Sequence, residues 1–393
     1  MKGLFFDASA TMLAKNHLPI AVAFDKQVND FQAVFVSGEI SSNVNIEIEK
    51  NSKTELEKFS HIPVIKEGSF TVEEISKILN LHKPDFIFIG AYRIYDQLWC
   101  NIALKRNINV YNYQHGFEVN SVNYTFRGAL FKFKKSFRLI STAFRLSKFS
   151  KVNSFKLVSD YVSYILSGKT SESSLLKHRS FHPFHTFVYS DFYKVFWHNK
   201  YGFDDSKMSI ITPHDFLLAA QACKSPKIKG VCYITQTLVE DGRMTEASFK
   251  RLLKDYLLIA KQSEKFIIKL HPRANIDYYK DFELLSNVTI QRDFPNCEIY
   301  LTHYSSMIFA AANISGKLIL HELPKHPTPE VFYSIAPYIV HSAGEILDLI
   351  NQTFKTSKPS LKVKERLDNF DFNKIEDPFG KIVEKVLTYQ MNN

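Results

Sequence analysis

Four short polar stretches in this 393-residue chain carry side chains suited to a phosphorylated substrate. His271-Pro272-Arg273, preceded by Lys269, combines an imidazole, a guanidinium and an ammonium, groups that can neutralise charge developing on a phosphate. Gln236, followed by Glu240-Asp241-Gly242, adds an amide and two carboxylates. Ser305 and Ser306 open an Ala-rich segment, where hydroxyls and backbone N–H groups can cap a helix or receive an anion. Gln114-His115-Gly116 offers an imidazole, the side chain whose ordinary pKa suits a general base at neutral pH. Each stretch also has a plain structural reading. His-Pro recurs at His182-Pro183 and His326-Pro327, and the acidic pair can be a solvated turn closed by Gly242.

What lends these residues weight is where they stand. Each follows an apolar, β-rich run: residues 109–113 before Gln114, 230–235 before Gln236, 266–270 before His271 and 298–302 before His303. Further strands are predicted at 31–36, 85–90, 186–189, 208–212, 288–291 and 317–321. Helices are predicted at 71–81, opened by a Thr71-x-x-Glu74 capping box, and at 95–105, 245–261, 343–354 and 374–390. Continuous apolar strands alternating with helices imply parallel sheets covered on both faces. The expected fold class is α/β, with two Rossmann-like domains facing a cleft. Residues 1–200 form an N-terminal acceptor domain, 207–372 a nucleotide domain and 373–393 a final helix, with the interdomain connection near 199–206. In such sheets ligands bind beyond the carboxyl ends of the strands, where all four stretches fall.

Composition narrows the partners. Fifty Lys and Arg against 40 Asp and Glu give a net charge of +10, and the chain holds 34 Phe. Residues 119–159 contain nine Lys or Arg, seven Phe and no Asp or Glu, which leaves the remainder close to neutral. Within that segment Phe126, Leu130, Phe133, Phe137, Ile140 and Phe144 share one face of a helix. Such a stripe is either core or a surface that meets an anionic lipid or glycan. No nucleic-acid recognition module is visible. The apolar N-terminus is broken by Asp7, Lys15, Asn16 and His17 before a signal-peptide core forms, and no run reaches the ~18 residues of a membrane span. Four scattered Cys with no CxxC pair predict neither zinc nor disulfides. The chain is thus expected to be cytoplasmic, peripherally attached to the inner membrane through residues 119–159. No Asp-x-Asp motif calls for a metal, and no cofactor is expected.

The stretch 233–242 (Tyr-Ile-Thr-Gln-Thr-Leu-Val-Glu-Asp-Gly), a helix, and then 266–273 (Phe-Ile-Ile-Lys-Leu-His-Pro-Arg) resembles the nucleotide half of bacterial GT-B sialyltransferases. The closest similarity is to the lipooligosaccharide sialyltransferase and polysialyltransferase families, with the capsule transferases that use CMP-Kdo beside them. It covers roughly 100 residues, and the first half is similar only in strand–helix layout. It implies a CMP-sugar donor, with His271, Ser305 and Ser306 at the CMP phosphate; Gln236, Lys269 and Arg273, from their own chemistry and position, are expected to bind the donor beside them. The acceptor implied is an anionic capsule, lipopolysaccharide or lipooligosaccharide glycan. Those families carry an acidic motif after an N-domain strand, where this chain has Gln114-His115-Gly116. Two mechanisms follow. Either His115 takes the acceptor proton and the anomeric centre inverts, or Asp241 or Glu240 attacks that centre and configuration is retained. A CDP-glycerol-type polymer transferase and a non-enzymatic polyanion-binding protein are the alternatives.

Overall fold

The computed structural model describes residues 1–7, 10–38, 46–58, 64–65, 71–90, 92–114, 126–167, 170–303, 305–315, 317–324, 326, 328, 330–333, 335–353 and 377–391. They fall into two compact units. The first comprises Met1–His115, Lys132–Thr212 and Glu376–Asn393, the second Gly116–Phe131 and Pro213–Ile375.

In the first unit the strands are β1 (Lys2–Asp7), β2 (Gln32–Gly38), β3 (Val64–Ile65), β4 (Phe86–Ile89), β5 (Asn109–Tyr113), β6 (His185–Val188) and β7 (Met208–Ile210). They form one parallel sheet in the order β3-β2-β1-β4-β5-β6-β7. Both faces are apolar, as a covered parallel sheet requires. One face is an aromatic ladder: Phe5 stacks on Phe35 at 5.3 Å and on Phe88 at 5.6 Å, and Phe88 stacks on Tyr111 at 5.4 Å. The other carries Leu4, Phe6, Val34, Val36, Ile87 and Ile89 against Leu98, Trp99 and Ile102. Part of the Phe surplus is therefore core of this unit.

The second unit holds β8 (Ile228–Ile234), β9 (Phe266–Lys269), β10 (Val288–Gln291), β11 (Cys297–Thr302), β12 (Lys317–His321) and β13 (Tyr338–Val340). Its sheet is parallel too, in the order β10-β9-β8-β11-β12-β13. The helix Glu246–Gln262, capped by Thr245, packs Phe249, Leu252, Leu253 and Tyr256 into its core.

Three features depart from the sequence reading. The interrupted apolar N-terminus is β1, the strand to which β2 and β4 both pair. Residues 208–212, expected to open the second half, contain β7, which pairs with β6 in the first sheet. The C-terminal helix Pro378–Met391 belongs to the first unit, packed on the helix Leu18–Gln27, with Tyr389 against Phe184 and His185. All three are settled by pairing partners remote in sequence, which local pattern does not encode.

Candidate functional site

In each sheet the strand order reverses once, between β1 and β4 in the first unit and between β8 and β11 in the second. The carboxyl edge at that reversal is where such sheets receive ligands.

In the second unit three loops converge on that edge. Thr235, directly after β8, is buried, and its hydroxyl accepts a hydrogen bond of 2.8 Å from the backbone N–H of His271 after β9. His271 Nδ1 in turn accepts from the backbone N–H of Arg273 at 3.1 Å, so in the neutral ring the proton sits on Nε2. Arg292 donates to the carbonyls of His271 and Pro272 at 3.2 and 2.9 Å, which closes the loop from the β10 side. Arg273 forms a two-pronged pair with Asp241, Nη1–Oδ1 at 3.1 Å and Nη2–Oδ2 at 3.3 Å, and Thr237 donates to the same carboxylate at 2.7 Å. Glu240 accepts from the backbone N–H of Asn275 at 2.8 Å, while burial raises its pKa. Gln236 is half-buried between these groups in sequence. The turn after β8 and the His-Pro-Arg loop after β9 are thus laced together by both acids.

Lys269 stands apart from that surface. It is buried at the end of β9, and its ammonium donates to the Leu270 carbonyl at 3.2 Å. After β11 come His303, buried, and Ser305, buried, whose Oγ accepts from the backbone N–H of Met307 at 3.3 Å; Ser306 is half-buried. The helix they precede, Ile308–Ile314, is short, and Met307 rather than a serine occupies its N-cap. Burial pushes the His303 imidazole down to about 3, so it is neutral at physiological pH. Among the described residues neither of its ring nitrogens has a hydrogen-bond partner, although the Tyr233 ring lies 5.7 Å away.

The first unit has its own polar cluster at the β1/β4 reversal, which no motif announced. Asp7, the last residue of β1, is buried beside Gly90, which follows β4; a Cβ built on Gly90 would lie 2.2 Å from Asp7 Oδ2 and 2.7 Å from His17 Nε2. His17 arrives on a π-helical turn, Leu13–His17, and its Nε2 lies 3.9 Å from Asp7 Oδ2. Arg93 bridges two buried carboxylates, Asp96 at 2.7 Å and Asp7 at 3.5 Å, with its guanidinium 4.5 Å over the Tyr95 ring. Asp96 also caps the helix Ile94–Leu104 by accepting from the Arg93 N–H at 2.8 Å. Burial lifts the Asp96 carboxyl to about 6 against the opposing pull of Arg93. Of this cluster only Arg93 has substantial exposure, 31% of its side chain. The readable signal was Leu4-Phe5-Phe6 ending in an acid, a buried strand delivering a carboxylate to a sheet edge. His115 lies outside the described residues; Gln114 before it is buried, and its Oε1 accepts from the Tyr189 N–H at 3.1 Å.

No family model matches this sequence, and no curated protein matches it either. Solved structures do. The S. aureus MnaA–UDP complex matches with a TM-score of 0.56 at 9% identity, covering 100% of this chain and 97% of that one. The wall teichoic acid polymerase TagF gives 0.54 at 11% identity, covering 100% and 90%. UDP-GlcNAc 2-epimerase from Neisseria meningitidis, bound to UDP-GlcNAc, gives 0.53 at 13% identity, covering all of both chains. The fold is GT-B. Two parallel-sheet Rossmann-like units in one chain are what these proteins share with it.

Proposed function

We propose that the chain is a transferase using a nucleotide-activated donor, held at the carboxyl edge of the second unit. The observation that carries this reading is the lacing of the β8 and β9 loops by Thr235, Asp241 and Arg273, which holds His271, its Nδ1 accepting from the Arg273 N–H, and a partly exposed guanidinium on one edge. Such groups suit a phosphate whose charge grows as its bond to the transferred group breaks. Within this class the proposed donor is a CMP-activated acidic sugar, a sialic acid, Kdo or related nonulosonic acid. The proposed acceptor is a capsule or lipopolysaccharide-type glycan, received at the β1/β4 edge of the first unit near Arg93.

Of the two mechanisms, inversion with His115 as proton acceptor is the better supported. Asp241 pairs with Arg273 and accepts from Thr237, which favours a loop-anchoring part for it, whereas Glu240 holds the Asn275 N–H with Oε1 only. A second reading, glycerol-phosphate transfer from CDP-glycerol, draws on the likeness to a wall teichoic acid polymerase.

The test is incubation of the full chain with CMP-sialic acid, CMP-Kdo, CDP-glycerol and UDP-GlcNAc. The proposal expects CMP release from a CMP-sugar alone, loss of CMP binding in His271→Ala, and loss of transfer with CMP binding retained in His115→Ala. Glycerol-phosphate transfer without release from CMP-sugars would establish the second reading. Epimerisation of UDP-GlcNAc would overturn both.

A further inference from the structure

Separately from the transfer chemistry, we propose that the outward face of residues 137–150, in the helix Phe126–Ser150, with the start of the helix Ser154–Ser167, docks on an anionic lipid surface. The first helix has a defined inner side. Ala143 and Leu146 are buried in the first unit's core with Leu157 and Tyr161, and Leu139 and Phe149 pack against them. Lys105 covers the Phe149 ring at 3.8 Å. At about 100° per residue, Phe137 and Phe144 point within some 20° of each other and roughly half a turn away from Leu146. Among the described side chains, Phe137 and Phe144 therefore do not lie on the core side of this helix. Phe137 is 61% exposed, and Phe155, at the start of the next helix, is 81% exposed. The Phe155 ring meets that of half-buried Phe144 edge-on at 6.3 Å, so the aromatic patch continues from one helix to the other.

Charge decides the occupant. Lys148 and Lys151 are exposed beside Phe144 and Phe155 in sequence, no acidic residue occurs between 119 and 159, and Lys156, also exposed, pairs with Asp160 at 3.7 Å. Aromatic side chains ringed by lysines fit the interface of a bilayer, where rings enter the acyl boundary and ammonium groups meet anionic headgroups. No helix among the described residues is long and apolar enough to cross a membrane, so this face attaches without spanning.

Co-sedimentation of the full chain with phosphatidylcholine vesicles, with and without phosphatidylglycerol, tests the proposal and needs neither donor nor turnover. Its outcome is therefore independent of the transfer reading. Binding is expected only to the anionic vesicles and should fall with added salt. It should weaken at least about tenfold in Phe137→Ser/Phe155→Ser, and again in Lys148→Glu/Lys151→Glu. All these positions are exposed, so melting temperatures should stay at the wild-type value. Equal binding to neutral vesicles, wild-type binding by both variants, or retention on single-stranded RNA with none on vesicles would each overturn it.

Discussion

His303 and His185 show how a residue's environment, more than its type, sets its behaviour. Burial drives their imidazoles down to about 3 and about 4, one in each unit. Between those values and the ordinary value near 6.5, the unfolded chain binds a proton at each site that the folded chain does not. Stability therefore rises with pH across that window and is lost on acidification, by about 1.4 kcal/mol per pH unit for each histidine. Urea unfolding from pH 7 down to 4 should show this loss, and His303→Phe, which cannot titrate, should have a shallower slope. An unchanged slope in that variant would count against a buried neutral imidazole. The same lesson applies to Asp241 and Glu240. Asp241 pairs with Arg273 and Glu240 accepts from the Asn275 N–H, so their contacts also brace the His271 loop.

At the level of elements, the carboxyl edges depend on close approach. Gly90 follows β4 because any side chain there would enter the space held by Asp7 and His17. Gly230 in β8 is an equally tight position away from any candidate group, where a Cβ would lie 2.3 Å from the Lys265 carbonyl. Both Gly→Ala variants are expected to lose stability, on the order of 1–3 kcal/mol as overpacked sites do. They should differ in what else they change. If the proposed function holds, Gly90→Ala should displace Arg93 and impair acceptor use with nucleotide binding intact, and Gly230→Ala should disturb β8 and weaken nucleotide binding. Thermal melts combined with nucleotide titration would separate them, and identical profiles would argue that the β1/β4 cluster is only structural. Capping followed its sequence signals closely: Thr71 accepts from the Glu74 N–H, and Thr245 from that of Ser248.

At the scale of the whole molecule, the chain returns to its first unit after completing the second. Ile382, Val383 and Val386 of the last helix are fully buried, on a unit whose other residues end at Thr212. Removing residues 377–393 is therefore expected to lower the stability of the first unit by several kcal/mol, since each aliphatic side chain contributes about 1.5–3 when buried. Hydrogen exchange should record lost protection in β1, β4 and β5 with β8, β9 and β11 unchanged. The reverse pattern would contradict the assignment of that helix.

The sequence by itself determined the α/β class, most strands, and the polar stretches at 236–242, 269–273 and 303–306 that follow them. These are local properties: apolar runs of strand length, capping residues and what stands immediately after a strand. It did not disclose that β1 is an interior strand at the order reversal, that β7 and the last helix belong to the first unit, or that Asp7, His17, Arg93 and Asp96 meet. Those depend on which strands pair and in what order, and pairing energy comes from partners tens to hundreds of residues away. The Phe stripe makes the point most sharply. Periodicity placed Phe137 and Phe144 on one face, but only packing shows that Ala143 and Leu146 face the core while Phe137 faces outward. A helix with two apolar sides has no local means of choosing between them.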